Sequence, residues 1–494
     1  VTDGNFVMTQ VSDPGALDPQ LSIVAGVFEM TGYAYDSIVG LSPEGEILPQ
    51  LAASWTQDGL KATFDIKDGI TCSDGSTMSA QTIADNINWL QDPGNASPYL
   101  GTFLPVGITA SVQGSTLTFD MLAPAPFLLS SLANVPIVCD AGLNNREQML
   151  TGTSGSGPYE LSEAVANDHY VYTRRDGYTW GPGGATTATE GLPKTITVKI
   201  VPNESTAVNL ILSKDVNLVT TVGADADRAE DAGLPSVTVP ANLGFTWYNQ
   251  AQGHPTSDPA IRKALTQAVN LDDLATVITS NKGGRSTALA VVPPASCSYD
   301  SITGKLPTFD VAAAQATMKD AGYTLDTQGM FAKDGEVVKI AFLYDSVLGD
   351  AGQAAAELAI SQWKAAGFSI EPQSVDTARL EEVLFGTGAW DIVWEPISVN
   401  SPDQMVAFLS GPSPAEGGGN LGSIANAAYN AGVEEAMGQT GAEACSAFQK
   451  AESALFESTD LVVWAVQNNK IYYSNSEYAY NGRTQVTSLR LLAQ

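Results

Sequence analysis

Helical and strand periodicities alternate along both halves of this chain without a repeat of fixed period, which demands helices packed on mixed sheets and excludes a coiled coil, a solenoid or a small disulfide scaffold. Residues 5–10 read as a strand, followed by a turn cluster around Pro14, Gly15 and Pro19. A short helix from about Tyr33 leads to a hairpin turn at Pro43 to Gly45, and Ala62, Phe64 and Ile66 share one face of a further strand. Ser79 is placed to cap a helix whose Ile83, Ile87 and Leu90 line one side. In the second half, Asp258 caps, Pro259 takes the first helical position, and Ile261, Leu265, Ala268 and Val269 form an apolar stripe. Asn270 opens the next helix, with Asp273 placed for a capping-box variant. Helices are expected over 310–321, 351–366 and 442–458, with strands over 337–344 and 390–394. The 494 residues suffice for several cores, as two to four domains or one large composite.

The charge balance removes one class of partner. Lys and Arg number 23 against 54 Asp and Glu, a net charge of -31, so the chain as a whole repels nucleic-acid backbones and anionic lipid. Charged residues are only 16% of the chain, so the excess reflects scarce cations. The longest uncharged run, 121–139, carries Pro124, Pro126 and Pro136 and reads as a buried helix and strand rather than a membrane span. The sequence opens at Val1 without a basic or apolar leader, so it is expected to be cytosolic or to have lost a leader.

Motifs for catalysis are missing. There is no nucleophile elbow, since "GTSGSG" has serine where the last glycine belongs, and no H-E-x-x-H, Walker A or G-x-G-x-x-G. The two histidines, His169 and His254, fall in turn or strand-edge contexts and are expected to be exposed rather than metal ligands. The acidic run "GADADRAED" lacks the glycine and twelfth-position Glu of a calcium loop and reads as a solvated helix start. Neither a metal nor another cofactor is implied, and an enzyme is not expected. Four cysteines without a C-x-x-C pair leave two readings, two disulfides in an oxidising compartment or four buried thiols.

The segment "IVGLSPEGEILPQLAASWTQDGLKATFDIKDGITCSDGSTMSAQTI" resembles the extracellular solute-binding proteins of family 5, the oligopeptide, dipeptide and nickel class of ABC importers. It keeps that family's Gly45, Ile47, Pro49, Leu51, Ala52, Ser54, Trp55, Asp74, Gly75 and Ala80. "GSGPYEL", "RRDGYTW", "TWYNQAQGHPTSDPAIRKALTQAVNLDDL" and "FDVAAAQATMKDAGY" follow in the family's order. The resemblance implies an α/β, two-lobed clamp of the type II periplasmic-binding-protein kind (cluster C) with an added subdomain. Lobe I would be 1–45, 155–245 and 471–494, the subdomain 46–154, and lobe II 246–470. A ligand held between such lobes favours closure by its differential affinity, and a membrane permease then recognises the closed form.

The resemblance also places site residues. Trp394 stands where the family has a Trp followed three residues later by the acid that pairs with a peptide's α-amino group, and here that third position is Ile397. An ammonium buried beside Ile397 would lack a partner, so the peptide anchor is in doubt, with Glu395 or, if the loop shifts, Asp403 as substitutes. Trp247, Tyr248 and Asn249 on the interlobe strand, and Phe28, Met30 and Tyr33 of the first helix, are the expected aromatic and polar walls for a small neutral or aromatic ligand. Trp180 is expected to be structural. Pairing cysteines within lobes gives Cys72–Cys139 and Cys297–Cys445. The expected partners are a small-molecule or peptide-like ligand and ABC permease subunits, with the protein a monomer outside the cytoplasm, periplasmic or tethered. A secreted hydrolase and a ligand-presenting receptor or chaperone are the alternatives.

Overall fold

The computed structural model describes residues 3–23, 25–221 and 225–492. Val1, both terminal ends of the expected first lobe, and Gly223 and Ala224 of the acidic run lie outside the described residues. The chain divides into two compact units, one made of 1–239 and 469–494, the other of the continuous segment 240–468. It crosses between them twice, through the 13-residue strands Ser236–Tyr248 and Leu461–Tyr473.

In the first unit, Asn5–Gln10 lies parallel to both Thr195–Ile200 and Leu218–Thr221. His169–Arg174 and Tyr159–Val165 extend the sheet antiparallel on one side, and Tyr473 to Lys470 close it on the other. Gly155 and Gly157 let the chain pass the end of the first helix, Ala25–Ala34. A Cβ would fall 2.2 Å from the Ala34 carbonyl oxygen at Gly155 and 2.4 Å from the Ala34 carbonyl carbon at Gly157. Close backbone approach, not catalysis, explains those glycines.

A second sheet of this unit runs Ala52–Asp58, Lys61–Ile66, Thr116–Asp120, Thr109–Gln113. Ala62, Phe64 and Ile66 do share a buried face, against Ile83, Ile87 and Leu90 of helix Ala80–Gln91. Ser79 caps that helix in a box with Thr82. The uncharged 121–139 run contributes helix Leu128–Leu132 and buried Val135, Ile137 and Val138, but its expected strand is reduced to a single bridge from Val138 to Gly155. Among the described residues no helix is long and apolar enough to cross a membrane. Cys72 and Cys139 are disulfide-bonded here, their Cα atoms 6.2 Å apart.

The second unit arranges Ser369–Val375, Lys339–Asp345 and Ile392–Trp394 in parallel, then Ser236–Tyr248 antiparallel to Ile392–Trp394. Helix Pro259–Gln267 begins as its sequence dictates, with Asp258 accepting from the Ala260 N–H at 2.9 Å. Asn270 also caps its helix, but the capping-box partner differs. The Asn270 N–H donates to Gln362 Oε1 at 2.8 Å rather than to Asp273, because helix Gly349–Ala366 brings a longer amide side chain to that end. Cys297 and Cys445 form the second disulfide.

Candidate functional site

Aromatic residues at strand ends can form a wall or a core, and burial decides between them. Trp247 is fully buried and donates its Nε1–H to the Glu395 carbonyl at 2.8 Å. Tyr248 shares a hydrogen bond of 3.0 Å with Thr266. Trp394 packs between Phe342 and Trp464, ring centroids 5.1 and 5.0 Å away, and its buried Nε1 has no acceptor. Asn249 ends its strand by donating to the Trp390 carbonyl at 3.0 Å and accepting from the Ala251 N–H at 3.1 Å. In the first unit Met30 and Tyr33 lie in the core, Tyr33 donating to Glu29 at 3.0 Å and standing edge-on to Tyr172. Packing within one unit therefore accounts for six of the nine expected ligand contacts.

Phe28, Glu395 and Ile397 keep exposed surface. Phe28 stacks on Phe103 at 6.0 Å, with the Arg483 guanidinium 5.3 Å from its ring. Glu395 is half-buried where the strand Ile392–Trp394 ends, and burial, then Asp345 and Glu381, push its pKa up to about 7. Protonation there relieves like charge at neutral pH. Asp403 is also pushed up by burial, and it accepts from Ser401. Trp180 is structural, as expected, giving its Nε1–H to Asp36 at 2.9 Å. His254 sits 2.8 Å from Asp391, and His169 2.8 Å from Asp168, so both are paired rather than free. Among the described residues no cluster could hold a metal ion. The acidic run forms helix Asp225–Asp231, its Asp225 tied to Ser205 and Arg228.

Sequence reasoning missed the first unit's pocket. A small recess there is lined by Gly32, Asp36, Gln50, Asn134, Tyr178 and Arg483, among others. Asp36 forms its floor, 1% exposed and accepting from Gln50, Tyr178, Trp180 and Ser156 at 2.7–2.9 Å. Four donors fill its carboxylate, so Asp36 organises the pocket rather than reaching for a ligand. The available signal was a lone acid in an apolar stretch, "YAYDSIVG", which needs buried partners.

The chain thus forms two α/β units joined by two strand crossings, each with its own core and disulfide. Residues 46–418 match the model of the bacterial extracellular solute-binding proteins, family 5, and the chain belongs to that family. It is 25% identical over 343 residues to the nickel-binding periplasmic protein of Escherichia coli K12, covering 66% of this chain and 63% of that protein. It is 24% identical over 298 residues to a glutathione-binding protein of Escherichia coli O1:K1, covering 58% and 56%. These matches span less than two thirds of either relative. A substrate-binding protein from Microbacterium hydrocarbonoxydans, solved with 4-hydroxybenzoate hydrazide, is 25% identical with a TM-score of 0.73, over 99% of this chain and all of that one.

Proposed function

We propose that this protein is the substrate-binding subunit of an ABC importer, acting outside the cytoplasm as a monomer, periplasmic or tethered to the membrane, and passing a small organic ligand to a permease. The observation that carries this reading is the likeness, over essentially the whole chain, to a binding protein solved with an aromatic hydrazide. Ile397, partly exposed where the family's peptide-binding members are expected to place an acid, supports an aromatic or amide-type ligand over a free peptide. Phe28 would supply an apolar face for such a body.

Glu395 favours a second reading, a peptide-like ligand with an amino group. With Asp345 and Glu381 close enough to raise its pKa, it would gain from a cation, which would release its proton on binding. Titration calorimetry of 4-hydroxybenzoate hydrazide, aromatic amides and dipeptides, in two buffers of different ionisation enthalpy, separates the readings. Binding without proton release supports the first. Dipeptide binding with proton release, abolished by Glu395→Gln, supports the second. Turnover of any of these compounds would refute both.

A further inference from the structure

Arg483 is a cation prepared and then left open. Its stem lies over Gly32, where a Cβ would come 3.1 Å from the Arg483 Cδ, so glycine keeps the helix surface low enough for the side chain to pass. The neighbouring backbone is held by Glu29, which accepts from the Thr484 N–H at 3.0 Å. The guanidinium stands over Phe28 and donates one Nη2–H to the Ala133 carbonyl at 3.2 Å. A guanidinium carries five N–H donors in a fixed fork. Those beyond the Ala133 bond are available to the pocket that Arg483 lines.

The surrounding charge selects the ligand's chemistry. Burial weighs most on Arg483 and lowers its pKa, while Tyr99, Glu29 and Asp36 act as countercharges, so a carboxylate drawn to the cation would also meet the Glu29 and Asp36 anions. Asn134, on the same wall and next in sequence to Ala133, donates its amide N–H to the Ser130 carbonyl at 3.1 Å, which turns its own side-chain oxygen to use as an acceptor. A group that offers one acceptor and one donor side by side answers both residues. A carboxylate offers acceptors alone and would set one against the Asn134 oxygen.

We infer that Arg483 and Asn134 form a subsite for a neutral carboxamide or hydrazide group, Arg483 donating to its carbonyl oxygen and Asn134 accepting from its N–H. The subsite deepens the transport reading above and rests on it. It makes Arg483 a specificity-determining residue that separates an amide from the corresponding acid.

The test is calorimetric titration of the full chain with 4-hydroxybenzamide, 4-hydroxybenzoate hydrazide and 4-hydroxybenzoate. The subsite predicts that amide and hydrazide bind at least tenfold more tightly than the acid. Arg483→Met should weaken both at least tenfold with an unchanged melting temperature, and Asn134→Leu should narrow the gap between amide and acid. If Arg483→Met does not fold, the preference of the wild-type protein and the Asn134→Leu series still decide. Equal or tighter binding of the acid, or an Arg483→Met protein with wild-type affinity for the amide, overturns the subsite and leaves the transport reading standing. A wild-type protein that binds dipeptides but none of the three aromatic probes overturns the subsite alone. One that binds no small molecule overturns both.

Discussion

Each unit packs an arginine against its interior, Arg262 buried and Arg483 half-buried, and the two are finished differently. Arg262 of the second unit is 5% exposed and every edge of its fork is occupied. Nε donates to the Thr459 carbonyl at 3.0 Å, Nη1 to the Thr256 and Ser257 carbonyls at 3.0 and 3.2 Å, and Nη2 to Asp460 at 2.9 Å. Asp460 is held in turn by Asn426 at 2.8 Å. Arg483 of the first unit has the single Ala133 acceptor and a pocket in front of it. A saturated guanidinium has nothing left to give a ligand, whereas an open one keeps donors beyond those its own fold uses. The contrast separates a residue that holds the fold from one that reads a solute.

The largest expected effect breaks the closed member of the pair. Arg262→Met leaves Asp460 buried without its cation and should lower unfolding free energy by about 3–5 kcal/mol, read by urea denaturation. If the loss is below 1 kcal/mol, saturation is not what makes Arg262 structural. Next in size are the staples of each unit. Replacing Cys297 and Cys445 together by serine should cost about 2–4 kcal/mol, by loop entropy over 148 residues, and the same exchange at Cys72 and Cys139, 67 residues apart, slightly less.

The same contrast exists among buried acids. Asp36 accepts from four side-chain donors, while Glu452, 1% exposed, accepts from the Tyr299 and Ser301 hydroxyls at 2.7 and 2.6 Å. Burial outweighs those bonds and pushes Glu452 up to about 7. Its folded-state pKa lies above the unfolded value, so the folded protein holds the extra proton. Stability is then full below about pH 4.5 and falls as pH rises toward 7, by up to roughly 3 kcal/mol from this group. Glu395, raised for the same first reason, acts in the same direction but is half exposed and contributes less. Denaturation midpoints from pH 5 to 8 should fall for the wild type and flatten in Glu452→Gln.

The smallest stability effects belong to the open cation. Arg483→Met should change unfolding free energy by less than about 1 kcal/mol, since one hydrogen bond to Ala133 is lost. Gly32→Ala should move stability and affinity apart. Alanine in place of a helical glycine gains a few tenths to about 1 kcal/mol, while the added Cβ pushes the Arg483 stem and should weaken amide binding several-fold. Parallel changes in both quantities would show that Gly32 serves only the helix.

What the sequence makes legible is what short range decides. The helix with Asp258, Pro259 and Arg262 is readable because cap, first-turn proline and apolar stripe all lie within a dozen residues. The role of Arg262 is not, because its acid lies 198 residues further on. Arg483 is hidden for the same reason, since its Ala133 acceptor is 350 residues away, and Glu29, which fixes its neighbour, 455. Trp247 and Trp394 illustrate another limit. A tryptophan at a strand end has one residue type for wall and core alike, and only the packing of Phe342 and Trp464 around Trp394 separates them.

The second unit is one unbroken stretch, but the first is assembled from two pieces, the later of them beginning at Asn469. During synthesis the 240–468 unit has all its residues before the first unit has its last strand partner, Ile471 beside Thr220, or Arg483 beside Gly32. The pocket in the first unit therefore cannot be complete on a growing chain until its final segment has left the ribosome. A polypeptide cut short before residue 469 would carry a fully encoded second unit and an unsealed first one, so a fragment competent to fold in part could never take up an amide at Arg483.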